Sequence, residues 1–185
     1  MQAIDKIKIK AGRLILSREL KNSEHRNPVV CNLNNASSVA LLMNISDETD
    51  MRKITKFEKF LKAEFGIKKV FILGYSDNKK EDPDFLRSSI SFDYLQRKDL
   101  SWNGIPSGPV YENFVAERFD ILIDMTNYFN VPLRFVLLRS NAKFKTGIFS
   151  EESKPYFDMM IAFDKDDFEE YANQLVHYLT IINAK

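Results

Sequence analysis

Phe119-Asp120-Ile121-Leu122-Ile123-Asp124-Met125 is too apolar for a strand with one wet face. A short, nearly continuous apolar run of this kind suits a strand covered by helices on both sides, as in a parallel sheet. In open α/β sheets the carboxyl ends of such strands are where ligands bind. Asp124, followed by Thr126 and Asn127, stands at that end. The run therefore predicts a layered α/β architecture and marks Asp124, Thr126 and Asn127 as candidate site residues.

The flanking segments repeat the pattern. Val39 to Met43 reads as a first strand, and Ser46 or Asp47 is placed to cap the helix after it. In that helix Met51, Ile54, Phe57, Leu61 and Phe65 make one apolar stripe, and Gly66 ends it. Lys69 to Tyr75 is a second strand, which completes a βαβ unit with a right-handed crossover. Ser89 to Tyr94 reads as a third strand, Phe119 to Met125 as the fourth and Lys143 to Phe149 as a fifth. The alternation in the fifth suggests a position near a sheet edge. Phe157 to Phe163 reads as a sixth. Ser107 is a candidate cap before Pro109, Asn130 before Pro132, and Asp164 or Asp166 before the last helix. The stripe of that last helix is Phe168, Tyr171, Leu175, Tyr178 or Leu179, and Ile182. The expected fold is a doubly wound, Rossmann-like, mainly parallel sheet of about six strands in the order 3-2-1-4-5-6.

Residues 1–27 differ from the rest, with seven Lys or Arg against Asp5, Glu19 and Glu24. A basic amphipathic helix is expected from about Ala3 to Leu20, with Ile4, Ile7, Ala11, Leu14 and Ile15 as its apolar side. Leu16 and Leu20 fall outside that stripe. Residues 1–27 are accordingly read as an arm and 28–185 as a single domain. Packing on the domain or on a second copy is the first expectation for this arm. An anionic membrane surface ranks below it, because the helix has no Trp or Phe.

Charge and cysteine content narrow the function classes. A net charge of +1 gives no whole-chain field for nucleic acid. The single cysteine, Cys31, forms no internal disulfide, and no apolar run approaches membrane-spanning length, so a cytoplasmic protein is expected. The first strand turns into its helix through Asn44-Ile45-Ser46-Asp47-Glu48. That turn has no glycine and two carboxylates, the opposite of a dinucleotide-binding turn. A Walker A sequence and a Gly-x-Ser-x-Gly elbow are also absent. No cofactor is expected.

His25 and His177 are too far from other ligands in sequence to suggest zinc, and Cys31 reads as a small core residue. Asp47, Asp77, Asp93 or Asp99, and Asp124 all fall near strand ends. Convergence of these carboxylates would suit Mg²⁺, but each reads first as a cap or a loop acceptor. Trp102, Asn103 and Gly104, with Lys98 just before them, form an irregular loop that suits a ligand or a partner. Lys143 and Lys145 suit an anion or the protection of a sheet edge.

The runs Ser91 to Tyr94, Lys98 to Gly104, Phe119 to Asp124, Ala142 to Gly147 and Tyr156 to Ile161 resemble an uncharacterised family of small bacterial α/β proteins. The resemblance covers most of the chain and implies a cytoplasmic domain with no assigned catalytic residue. Phe119 to Asp124 and Ala142 to Gly147 also resemble the N-terminal half of heptosyltransferase-like glycosyltransferases. That likeness implies an acceptor-side half without the donor-binding half. The function expected first is a non-catalytic binding or assembly module, with residues 1–20 as a surface for a protein partner or a second copy. An enzyme acting on a sugar or phosphorylated metabolite at the sheet's carboxyl edge comes second, and membrane attachment through the arm third.

Overall fold

A computed structural model describes residues 3–22, 26–77, 85–87 and 89–183, with side chains from residue 8 onward. Six strands, Ser38–Asn44 (β1), Lys69–Ser76 (β2), Phe92–Gln96 (β3), Ile121–Asp124 (β4), Phe144–Ile148 (β5) and Met159–Ile161 (β6), form one sheet. The described helices are Ala3–Asn22 (α1), Glu48–Phe65 (α2), Pro109–Ala116 (α3), Val131–Arg139 (α4) and Phe168–Ile181 (α5). Every strand pair is parallel and the order is 3-2-1-4-5-6, as expected. His25, residues 78–84 and the side chains of Ile4 and Ile7 lie outside the described residues.

The apolar runs of β1 and β4 are explained by their central position. Val39, Leu41 and Met43 enter a core shared with Ile54, Phe57 and Leu61 of α2 and Tyr171, Leu175 and Leu179 of α5. Ala40 and Leu42, on the other face, enter a core with Leu16 of α1, Phe114 of α3 and Leu133 and Phe135 of α4. Successive side chains of a strand point to opposite faces, so a strand between two helix layers has no polar position to spare. Asp120 ties the starts of β1 and β4 together by accepting from the backbone N–H of Ser37 and Ser38 at 2.8 and 3.0 Å.

Several expectations shift. The third strand starts at Phe92 rather than Ser89. Ile90 is fully exposed in a turn, while Phe92 and Leu95 enter the core and Tyr94 packs against it. The cap before Pro109 is Gly108, at φ 94°, rather than Ser107. The last helix is capped by Asp167, which accepts from the N–H of Glu170, rather than by Asp164 or Asp166. Strand β5 lies next to the edge, as expected, with β6 pairing along its outer side. Lys143 is ion-paired with Asp120, and Lys145 is buried, its ammonium donating to the Leu137 carbonyl.

Helix α1 lies against α4, with a different side inward from the one expected. Leu16 is buried and Leu14 is 55% exposed. Two Leu two positions apart lie on nearly opposite sides of a helix, about 200° apart, and the contact surface chooses between them. Gly12 decides it. A Cβ there would stand 2.4 Å from the Asn103 carbonyl oxygen and 2.8 Å from a Val131 methyl. The helix approaches that closely because residue 12 has no side chain. Arg139–Glu19 and Arg13–Glu152 pairs flank the contact. Alanine is the better helix former by up to about 1 kcal/mol. Even so, Gly12→Ala is expected to lower stability by about 1–2 kcal/mol through overpacking. Thermal unfolding of the variant tests this, and a raised Tm would show that α1 lifts freely.

Candidate functional site

The carboxyl end of β4 carries the one fully buried ion pair among the described residues. Asp124 Oδ2 accepts from Arg134 Nη1 at 3.1 Å, and both side chains are at least 95% buried. Arg134 comes from the first turn of α4, whose N-terminus is set by Asn130 accepting from the N–H of Leu133. Thr126 donates its backbone N–H and its hydroxyl to Asp124 Oδ1 at 3.0 and 2.7 Å. The second nitrogen of Arg134 donates to Ser153 Oγ at 3.2 Å. The rings of Phe129, Tyr156 and Phe157 pack around the guanidinium at 5.2–5.6 Å. Burial pushes the Asp124 carboxyl above its ordinary range, while Arg134 and Thr126 pull it back. Both carboxylate oxygens are thus engaged inside the protein, and the pair locks the turn between β4 and α4.

Above this pair the sheet opens into a crevice of about 400 Å³. It lies where the strand order reverses, between the ends of β1 and β4, which is where ligands bind in open α/β sheets. Met43 and Met125 at the strand ends, with Phe163 and Tyr171, supply its apolar surface. Asn44, Ser46 and Lys53 border it on one side and Thr126, Asn127 and Tyr128 on another. The Tyr128 ring is 56% exposed.

The helix N-termini at this crevice are already occupied by the protein's own carboxylates. Asp47 accepts from the N–H of Asp50 at 3.0 Å, and Asp167 accepts from that of Glu170 at the same distance. Asp50 takes the N–H of Ser46, and Asp166 takes the amide of Asn127. Asn44 is the exception in this network. Its oxygen accepts from Asn130 at 2.7 Å, yet its buried amide nitrogen has no hydrogen-bond partner. A buried unpaired donor costs about 1–3 kcal/mol, a local cost at the end of β1. Lys53 makes no ion pair among the described residues.

A family model described as a family of unknown function, DUF6913, matches residues 8–182. The chain belongs to this family. The match runs from within α1 to the end of α5, so in this DUF6913 chain α5 and all but the start of α1 fall inside the family's span. No curated protein and no solved structure matches the chain.

The residues singled out in the DUF6913 sequence do not all come together. Thr126 and Asn127 line the crevice, Asp124 is buried next to them, and Asp47 caps α2 at its border. Trp102, Asn103 and Gly104 lie elsewhere, against α1. Asn103 is buried there, Gly104 takes φ 80°, and Trp102 is 67% exposed. Lys98 is exposed on the short 3-10 turn after β3. The acidic residues do not converge. Asp77 pairs with Arg97, Asp93 accepts from the N–H of Tyr94, and Asp99 accepts from that of Gln96. Among the described residues no group of three or more His, Cys, Asp or Glu is placed to hold a metal ion. Cys31 is half-buried, and burial pushes its thiol up, which disfavours the thiolate. Among the described residues no helix is long and apolar enough to cross a membrane.

Sequence reading passed over Arg134, Asn44, Lys53 and Tyr128. For Arg134 a signal existed, because an arginine inside Val131-Pro132-Leu133-Arg134-Phe135-Val136-Leu137 must find a buried partner.

Proposed function

We propose that the protein is a non-catalytic binding module that holds one small polar ligand in the crevice between β1 and β4. The observation that carries this reading is an open crevice at the strand-order reversal bordered by the polar side chains of Asn44, Ser46, Lys53, Thr126, Asn127 and Tyr128. The charged group that chemistry would need there, Asp124, is held by Arg134 and Thr126 instead. The ligand is a hydroxyl- or amine-bearing compound rather than a phosphate. Asp47 and Asp167 fill the helix N-termini that would otherwise attract phosphate, and Asp50 and Asp166 add negative charge. Lys53 and the Tyr128 hydroxyl remain to orient it.

A thermal-shift panel of sugars, polyols, amino acids, amines and nucleotides tests the reading. A compound from the non-phosphate classes is expected to raise Tm by several degrees at concentrations far above its Kd. The exposed Ser46 lines the crevice, and Ser46→Trp is expected to abolish that shift by filling the space. No shift with any non-phosphate compound, or an equal shift in Ser46→Trp, would overturn it.

A further inference from the structure

A second concavity runs along the outer surface between α2 and α5, on the face of the sheet remote from α1. Its volume is about 370 Å³. Phe57, Phe60, Phe168, Ala172 and Val176 line it. Phe60 is 40% exposed although it stacks on Phe57 at 6.3 Å and meets Phe65 edge-on at 6.1 Å. An aromatic ring held rigidly by two others and left open to solvent is a preformed anchor for a partner. The lining of α2 runs from Thr49 to Phe60, a length of ~16 Å at ~1.5 Å per residue, which matches about three turns of a docked helix.

The rim has one dominant sign. Arg52, Lys53 and Lys56 line the α2 side, against Glu169 alone on α5. Two of these cations hold only exposed carboxylates. Arg52 pairs with Glu48 at 3.6 Å, and Lys56 pairs with Glu169 at 2.7 Å, with every side chain more than 65% exposed. Pairs of that kind contribute little and exchange readily. Lys53, and Lys59 further along α2, make no ion pair among the described residues. A second copy docking symmetrically on this face would set the same lysines against each other.

We propose that the groove between α2 and α5 docks an acidic amphipathic helix of a partner protein, whose apolar side covers Phe60 and whose carboxylates meet Lys53 and Lys56. This is the helix-in-groove mode of recognition, with the charged rim choosing the partner and the aromatic floor supplying affinity. The groove shares Lys53 and Phe168 with the crevice, whereas Phe60 and Lys56 belong to the groove alone.

The probe is a fluorescein-labelled peptide of roughly 18 residues with Leu at i, i+3, i+4 and i+7 and Glu at the polar positions. Its control has Lys in place of every Glu. Fluorescence anisotropy with the full chain is expected to show saturable binding of the Glu peptide that weakens with added salt. The Lys peptide is expected not to bind at the same concentrations. Phe60→Glu and Asn173→Trp alter exposed positions, the second by plugging the groove from its α5 side. Both are expected to weaken binding at least about tenfold, with circular dichroism and Tm showing that they fold. Absence of saturable binding, equal binding of the two peptides, or affinity unchanged in both variants would overturn the proposal. So would a dimer in light scattering that Phe60→Glu converts to a monomer, since that assigns the groove to a second copy.

Discussion

Arg134→Met is expected to lower the free energy of unfolding by about 3–5 kcal/mol, because it strands the Asp124 carboxylate in a site from which water is excluded. The partners left to Asp124 after the change are the N–H and hydroxyl of Thr126, which do not neutralise a charge. The double variant Asp124→Asn/Arg134→Met removes both charges and leaves an amide oxygen for Thr126. It is expected to recover most of the loss, since a buried ion pair offers little over neutral groups of similar shape. Urea unfolding of the wild type, both single variants and the double variant measures the coupling. Additive losses in the double variant would mean that the pair does not act as a unit.

Lys145→Met is expected to raise stability at pH 6 by about 2–4 kcal/mol, and the gain is expected to vanish by pH 10–11. Burial, with Arg26 adding like charge and Asp158 opposing it, pushes the Lys145 ammonium from its ordinary 10.5 down to about 7. The unfolded chain therefore binds more protons than the native one between pH 7 and 10.5, and stability rises with pH across that window. Below pH 7 the native state carries the whole penalty, ~4–5 kcal/mol from the difference between the two values. Methionine loses the hydrogen bond to the Leu137 carbonyl near the end of α4, which costs about 1 kcal/mol. Urea titrations of the two proteins at pH 6, 8 and 10 give the difference free of other titrating groups. A difference that does not change with pH would refute the assignment.

The parts of this fold that were legible are those where one chemical signal had one structural answer. The apolar runs of β1, β2 and β4 admit no surface position, and the strand–helix alternation then leads to the sheet order. Asn130 was identifiable as a cap because it stands alone before Pro132, whereas Ser46 and Asp47 both offered themselves before α2 and the structure uses Asp47. Where two residues offered the same chemistry, tertiary contact decided. Leu14 and Leu16 compete for the inner side of α1, and the approach of Gly12 to Asn103 selects Leu16. Asp164, Asp166 and Asp167 compete for one cap, and the geometry of the turn selects Asp167. Lys145 read as a surface residue because nothing in its neighbours announces that its ammonium reaches the Leu137 carbonyl of α4. The location of the crevice was legible from Asp124, Thr126 and Asn127, but most of its lining was not. Asn44 to Lys53 and Phe163 to Tyr171 come from parts of the chain that meet only once the sheet is complete.

The all-parallel order also governs how the chain is made. No neighbouring strands in this sheet are joined by a hairpin, so every pairing waits for a crossover. β1 and β2 can pair as soon as residue 76 is available, but the other side of β1 pairs with β4, some 82 residues along the chain. Until Ile121 to Asp124 emerge, a strand apolar on both faces offers an open row of amides and carbonyls. During synthesis, at about 5–20 residues per second, that exposure lasts several seconds. A bare central strand is then the chain's main risk of misassociation, and it falls at the stage when a chaperone would be needed.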